Sequence, residues 1–189
     1  MSLPVTSFWE YSNSVYHKPG VERTLLLLQQ RFGVDVNVVL FCSWVALFRH
    51  LRLPAEGIAT LISHTEVWQN ETVRPLRRVR QRLKSSSEGM PREEVQALRE
   101  RVQELELHAE HIEQNFLESE SHRIGVSAAP SEPRQAAVYN VIGYFRYLSV
   151  ELDGQTNDQF MSLLSALLNV TGDAAVALWR SAETTRAGD

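Results

Sequence analysis

Phe8-Trp9-Glu10-Tyr11-Ser12 begins the stretch of sequence that decides the fold. The rest of the stretch alternates turn signals with aromatic and apolar segments: Tyr16, Pro19-Gly20-Val21, Gly33-Val34-Asp35-Val36-Asn37 and Phe41-Cys42-Ser43-Trp44. Proline removes a backbone donor and glycine accepts positive φ, so Pro19-Gly20 ends one helix and Gly33 ends the next. Asp35 caps a third helix, which is apolar nearly all round. The pattern predicts three short helices, over 5–17, 21–32 and 36–52, packed tightly together with the third in the centre.

A long helical hairpin is predicted after these helices. Pro54 suits the first turn of a helix, and Pro75 should kink or restart that helix near residues 70–72. A polar turn at 85–89 separates it from a helix over about 91–120 whose apolar residues are spaced 3-4-3-4: Val95, Leu98, Val102, Leu105, Ala109, Ile112 and Phe116. The preceding helix has matching spacing at Leu76, Val79 and Leu83. This heptad seam of about three repeats is the lower limit for a coiled coil, and it predicts an antiparallel hairpin over 54–121.

The remainder of the chain is also predicted to be helical. Residues 121–133 are rich in Ser, Ala, Pro and Gly, which is typical of a surface loop. Helices are expected over about 134–150, 157–169 and 173–184, the second beginning with a Thr156-x-x-Gln159 capping box. No credible set of strands is present. The fold class is therefore all-α, a helical bundle with a long antiparallel helical hairpin. It divides into a compact aromatic-rich region (1–53), the hairpin (54–121) and C-terminal helices (134–184) that pack with the rest as one domain.

Composition favours a folded protein of the cytoplasm. The 189 residues are 43% hydrophobic and 22% charged, which provides enough apolar surface for a core. No stretch approaches the roughly 18 consecutive apolar residues of a membrane span, and the N-terminus lacks the features of a signal peptide. Cys42 is the single cysteine, which excludes an internal disulfide and suits a reducing compartment, where it would act as a small buried hydrophobe. We therefore expect a cytoplasmic location and no membrane span.

The segments that decide the fold also resemble a known family. Phe-Trp-x-Tyr-Ser, Tyr-x-x-Pro-Gly-Val, Gly-x-Asp-Val-Asn and Leu-Phe-Cys-x-Trp look like the signature of an uncharacterised proteobacterial family, the domain of unknown function 2390. The resemblance continues through Trp68 and the Val73–Arg77 stretch, and it covers roughly residues 8–120. The resemblance implies a bacterial protein with a helical fold, and it does not indicate an activity.

Six residues of the N-terminal region form the first candidate site: Phe8, Trp9, Tyr16, Asp35, Asn37 and Trp44. Apolar walls with a few polar groups are typical of ligand sites, so these residues could line a small-molecule pocket between the first three helices. The alternative is structural. The aromatic residues would then form core, Asp35 would cap a helix, and Asn37 would bond a neighbouring loop.

A basic run forms the second candidate site, for an anion or a partner: Arg74, Arg77, Arg78, Arg80, Arg82 and Lys84. Residues 1–90 carry 11 Lys and Arg against 7 Asp and Glu, whereas residues 91–189 carry 8 against 16. The run therefore precedes an acidic helix, and its arginines are expected to face that helix or solvent. Nucleic-acid binding is disfavoured because the chain as a whole is acidic, with a pI of about 5.9.

Neither a metal site nor a catalytic motif is predicted. Glu104, His108 and His111 could share one helix face, but the Glu-x-x-His pairs of di-iron bundles and the His-Glu-x-x-His motif are missing, so solvated histidines are expected. No nucleophile elbow, phosphate-binding glycine loop or dinucleotide fingerprint occurs. The prediction is a protein without metal or cofactor, with the balance against an enzyme.

The predicted function is self-association, as a symmetric homodimer, or binding of another protein. It rests on the heptad seam, on the charge asymmetry and on the missing catalytic motifs. Changing Leu98 and Leu105 to Asp is expected to unfold the hairpin if these residues are buried. The alternatives are a small-molecule-binding protein with a pocket near the aromatic residues and, with less support, nucleic-acid binding through 74–84.

Overall fold

Nine α-helices, a π-helical turn and a pair of two-residue strands form the described part of the chain, residues 6–85, 89–127 and 132–185 of a computed structural model. The first five helices are α1 (Phe8–Tyr16), α2 (Val21–Phe32), α3 (Val36–Arg49), α4 (Ala55–Trp68) and α5 (Arg74–Ser85). The last four are α6 (Arg92–Ile124), α7 (Pro133–Tyr147), α8 (Gly154–Leu168) and α9 (Gly172–Thr185). Strands β1 (Leu51–Arg52) and β2 (Val126–Ser127) pair antiparallel. The all-α prediction is confirmed, and the small strand pair is its one correction.

The three N-terminal helices end and begin where local chemistry predicts. Ser7 and Glu10 form a capping box that starts α1, and the residues before position 6 lie outside the described part. Gly20 and Gly33 have φ of 80° and 69°, conformations in which a side chain would be strained. The third helix stops at Arg49, earlier than predicted, because His50 adopts a left-handed conformation that leads into β1.

The core is centred on α3, as its all-round apolar pattern predicts. Every residue from Asn37 to Ala46 is buried, and the main neighbour of α3 is α7. Asn140 of α7 ties the two together. Its amide nitrogen donates to the carbonyls of Cys42 (3.1 Å) and Leu51 (3.2 Å), and its amide oxygen accepts from the Leu53 N–H (2.7 Å). One continuous cluster of buried side chains includes residues from α1 to α4 and from α6 to α9.

A π-helical turn, Gln69–Val73, joins α4 to α5 and lies where the interruption of the helix is predicted, near 70–72. Pro75 has no N–H, and its ring would collide with the carbonyl four residues earlier in a regular helix. Widening that turn removes the conflict, after which α5 continues from Arg74. The polar turn expected at 85–89 includes residues 86–88, which lie outside the described part of the chain.

The heptad seam of α6 does not become a buried seam within the chain. Val102 and Ala109 are buried, but Leu98 and Leu105 are 50% and 58% exposed. The buried face instead passes through Glu106, Glu113 and Leu117, because Glu106 pairs with arginines of α5 and Glu113 accepts amide groups of α3 and of the π-helical turn. A coiled coil is therefore not shown within the chain, and the condition under which Asp at 98 and 105 would unfold the hairpin, burial of both leucines, is not met.

The C-terminal part departs from prediction mainly in its boundaries. Helix α6 continues to Ile124, past the loop expected from Ser121, because Leu117, Ser121 and Ile124 extend its buried face. Residues 128–131 of that loop lie outside the described part. Helix α8 begins at Gly154 since Asp153, and not Thr156, caps it. Among the described residues no single helix is long and apolar enough to cross a membrane. Taken together, α8 and α9 would be long and apolar enough by length and composition only, and this pair is bent by 100°.

A polar cavity as the candidate functional site

A cavity of about 380 Å³ lies between α1, α2, the start of α3, the π-helical turn, α5 and α6. The helical periodicity of the sequence determines which side chains line the cavity. Helix α1 contributes one face, since Trp9, Ser12 and Tyr16 lie three and four residues apart. Helix α6 contributes a longer face of the same kind, which includes Glu110 and Gln114.

The structure brings part of both candidate sites to this cavity. Trp9, Tyr16, Asp35 and Asn37 of the first site line it, and so do two arginines of the second site, Arg77 and Arg80. The other predicted residues lie elsewhere: Phe8 and Trp44 are in the core with ring centroids 5.4 Å apart, and Arg74, Arg78, Arg82 and Lys84 are exposed on α5.

Asp35 and Asn37 connect the start of α3 to neighbouring helices. The Asp35 carboxylate accepts the Asn37 N–H at 2.8 Å, which confirms it as the helix cap. The backbone N–H of Asp35 donates to the Tyr144 hydroxyl at 2.8 Å. The Asn37 side chain does not bond a loop, as one alternative supposed. It donates to Glu113 Oε2 (3.1 Å) and accepts from Gln114 Nε2 (2.8 Å), both on α6.

Glu113 is a buried acid behind the cavity wall, only 3% exposed. Its Oε2 atom accepts from the amide groups of Asn37 and of Gln69, the latter at 2.6 Å. Burial, followed by repulsion from Asp35, raises the pKa of Glu113 to about 9. Burial raises the pKa of Asp35 as well. Burial thus favours the protonated form of Glu113.

Two arginines of α5 are held by acidic residues of α6. Arg77 donates to Glu106 (2.9 Å) and Glu110 (2.6 Å), and also to Gln29 (2.8 Å). Arg80 forms two bonds to the same Glu106 carboxylate. Burial opposes ionisation of Glu106, but the hydrogen bonds from Arg80 and Arg77 outweigh it and lower its pKa. The expected pairing of the basic run with the acidic helix is therefore confirmed for Arg77 and Arg80.

Two buried polar atoms of the cavity wall have no hydrogen-bond partner among the described residues. They are Oε1 of Gln114 and Oγ of Ser12, in side chains whose residues are 5% and 4% exposed. An unpaired buried polar group costs about 1–3 kcal/mol, so folded proteins contain few of them. Sequence reasoning missed both residues. Ser12 could have been found, because it lies three residues from Trp9 on the same helix face.

The histidines and Cys42 have no place in this cavity. His111 is half-buried and stacks on Trp9 with ring centroids 4.2 Å apart, so the expectation that it is merely solvated is wrong. Within the described ranges no three His, Cys, Asp or Glu side chains are grouped to hold a metal ion. Cys42 is fully buried in the core, as expected.

Comparison with known proteins agrees with the signature of the N-terminal segments. The family model described as "Protein of unknown function (DUF2390)" matches residues 7–117. The chain belongs to this family. No curated protein and no solved structure matches it. Every residue that lines the cavity lies inside the family match, whereas α7, α8 and α9 lie beyond it.

Proposed function

We propose that this protein binds a small polar molecule in the cavity between α1, α3 and α6. The observation that carries the proposal is the pair of unpartnered buried atoms, Gln114 Oε1 and Ser12 Oγ, in the cavity wall. A ligand that hydrogen-bonds to both would recover the free energy that their burial costs.

The form of the cavity supports the same proposal. Its volume of about 380 Å³ lies within the range of small-molecule sites, and its walls combine apolar and aromatic side chains with a larger number of polar and charged ones. The π-helical turn contributes Gln69 to the wall, and such turns are frequent at functional sites.

A thermal-shift screen of polar metabolites tests the proposal. We expect at least one compound to raise the melting temperature of the wild type, because a ligand that binds only the folded state stabilises it. Ser12→Ala should reduce that response without loss of stability, since the Ser12 hydroxyl has no partner. The matched control is Ser14→Ala, an exposed serine of the same helix. A screen without any response, or a response that Ser12→Ala leaves unchanged, would overturn the proposal.

A second candidate function is self-association, and the exposed apolar face of α6 favours it. Leu98, Leu105, Ile112 and Phe116 are all at least 39% exposed along a helix of 33 residues, which extends about 50 Å. A second copy could cover this face by seam-to-seam packing. A dimer held by charge has less support, because Arg77 and Arg80 are already paired within the chain. The same pairing weakens the case for nucleic-acid binding.

Sedimentation at low and high salt tests this second candidate. A dimer held by the apolar face should persist at high salt, where ionic contacts are screened. Leu105→Asp should convert it to a stable monomer, whereas a change at Tyr147, which is 52% exposed on α7, should not. A wild-type monomer at every salt concentration would remove the candidate.

A further inference from the structure

We infer that the ligand of this cavity is an organic cation, a small molecule that carries a protonated amine or a guanidinium group. The inference rests on the proposed function and adds the chemical class of the ligand. Its basis is the balance of charges and hydrogen-bonding groups around the cavity.

Acidic side chains outnumber basic ones in the cavity wall. Four carboxylates line it, those of Glu22, Asp35, Glu106 and Glu110, against the two guanidinium groups of Arg77 and Arg80. An acidic cluster alone would not indicate a ligand. Here two buried, unpartnered polar atoms are part of the same wall, Gln114 Oε1 and Ser12 Oγ.

The two arginines are poor candidates for binding an anion. Arg77 uses its Nε, Nη1 and Nη2 groups on Glu106, Gln29 and Glu110. Arg80 forms two bonds to the same carboxylate of Glu106. An anionic ligand would have to displace these carboxylates, which would then lose their cationic partners in a partly buried position.

The groups left for a ligand are mainly acceptors. A glutamine side-chain oxygen only accepts hydrogen bonds, so Gln114 Oε1 requires a donor. Asp35 is half-buried and forms no ion pair within the described residues, and burial raises its pKa although the charges of two neighbouring arginines oppose that shift. Tyr16 and Trp9 add aromatic rings, whose faces attract cations. An ammonium or guanidinium group supplies both the N–H donors and the charge that this wall lacks.

Isothermal titration calorimetry at low salt can test the class directly. The probes are agmatine and spermidine as cations, inositol as a neutral polar molecule and inorganic phosphate as an anion. We expect a cation to bind with one-to-one stoichiometry, and inositol and phosphate to give no heat of binding.

Asp35→Asn is the decisive variant. Asparagine caps a helix as well as aspartate does, so the variant should fold, and its thermal melt provides the check. We expect cation affinity to fall about tenfold or more, as for the loss of one charge-assisted hydrogen bond. The matched control is Asp153→Asn, at the cap of α8 outside the cavity, which should leave affinity unchanged.

The outcomes distinguish an error in the ligand class from an error in the proposed function. If inositol or phosphate binds and neither cation does, the inference of a cationic ligand is overturned and the proposed ligand site is retained. Equal cation affinity in wild type, Asp35→Asn and Ser12→Ala would mean attraction to the acidic surface only, and would also overturn it. If no probe binds and the thermal-shift screen finds no ligand, both the inference and the proposed function are overturned.

Discussion

Replacing Glu113 by Gln should make this protein more stable, although Glu113 is buried and accepts two hydrogen bonds. Glutamine has nearly the same shape as the protonated acid. Its amide oxygen can accept from Asn37 Nδ2 and Gln69 Nε2, which now donate to Glu113 at 3.1 Å and 2.6 Å. The substitution removes the need to keep a proton on the acid at neutral pH.

The size of the effect follows from the raised pKa of Glu113. A carboxyl group with a pKa of about 9 in the folded state and 4.5 as the reference binds more protons when folded. Stability is therefore lost as the pH rises from about 4.5 towards about 9, at about 1.4 kcal/mol for each pH unit. Up to pH 7 this amounts to about 3 kcal/mol. Because the neighbouring carboxyl of Asp35 can take up part of the effect, we expect Glu113→Gln to stabilise by about 1–3 kcal/mol at pH 7.

Urea denaturation at pH 5, 6, 7 and 8 measures this prediction. The free energy of unfolding of Glu113→Gln should exceed that of the wild type by little at pH 5 and by a growing margin up to pH 8. Glu104→Gln, an exposed glutamate on the same helix, provides the control and should show no such trend. A margin that does not change with pH, or a variant less stable at every pH, would refute the reasoning that Glu113 is protonated in the folded protein.

Three further substitutions test the packing around the hairpin and the core. Gly57→Ala should lower the melting temperature by several degrees, because the added Cβ would collide with a backbone carbonyl of α6, whereas Gly154→Ala, with open space around it, should not. Asn140→Ala should cost about 2–4 kcal/mol in urea denaturation, since it removes the three hydrogen bonds between Asn140 and buried backbone groups; a loss under 1 kcal/mol would contradict that role. Arg77→Ala should cost about 2–3 kcal/mol, measured the same way against the exposed Arg78→Ala, and equal losses in both would disprove the role of the ion pairs.

The candidate site was predictable only in part. Trp9, Tyr16, Asp35 and Asn37 could be chosen because aromatic residues together with an Asp-x-Asn sequence suggest a small polar pocket. Phe8 and Trp44 are also aromatic, but their side chains lie in the core. Nothing in the local sequence separates these groups, since which face of α1 or α3 is covered depends on helices that arrive later in the chain.

On α6 the sequence pattern identified the buried face only in part. The heptad spacing selects Leu98 and Leu105, which are exposed, and passes over Glu113 and Gln114, which are buried. A single helix cannot show that an acidic residue will be turned inwards. The orientation depends on the amide groups that meet Glu113 from α3 and from the π-helical turn.

The sequence by itself determined the all-α class and most helix ends, because caps, prolines, glycines and apolar periodicity act within a few residues of one another. Ser7, Gly33 and Asp35 illustrate this local control. Only the tertiary structure decided which charges pair, which seam is left exposed and where the polar cavity lies. Those features depend on the rotation and approach of helices that are distant in the chain, and a one-residue change of helix face, about 100°, exchanges a buried side chain for an exposed one.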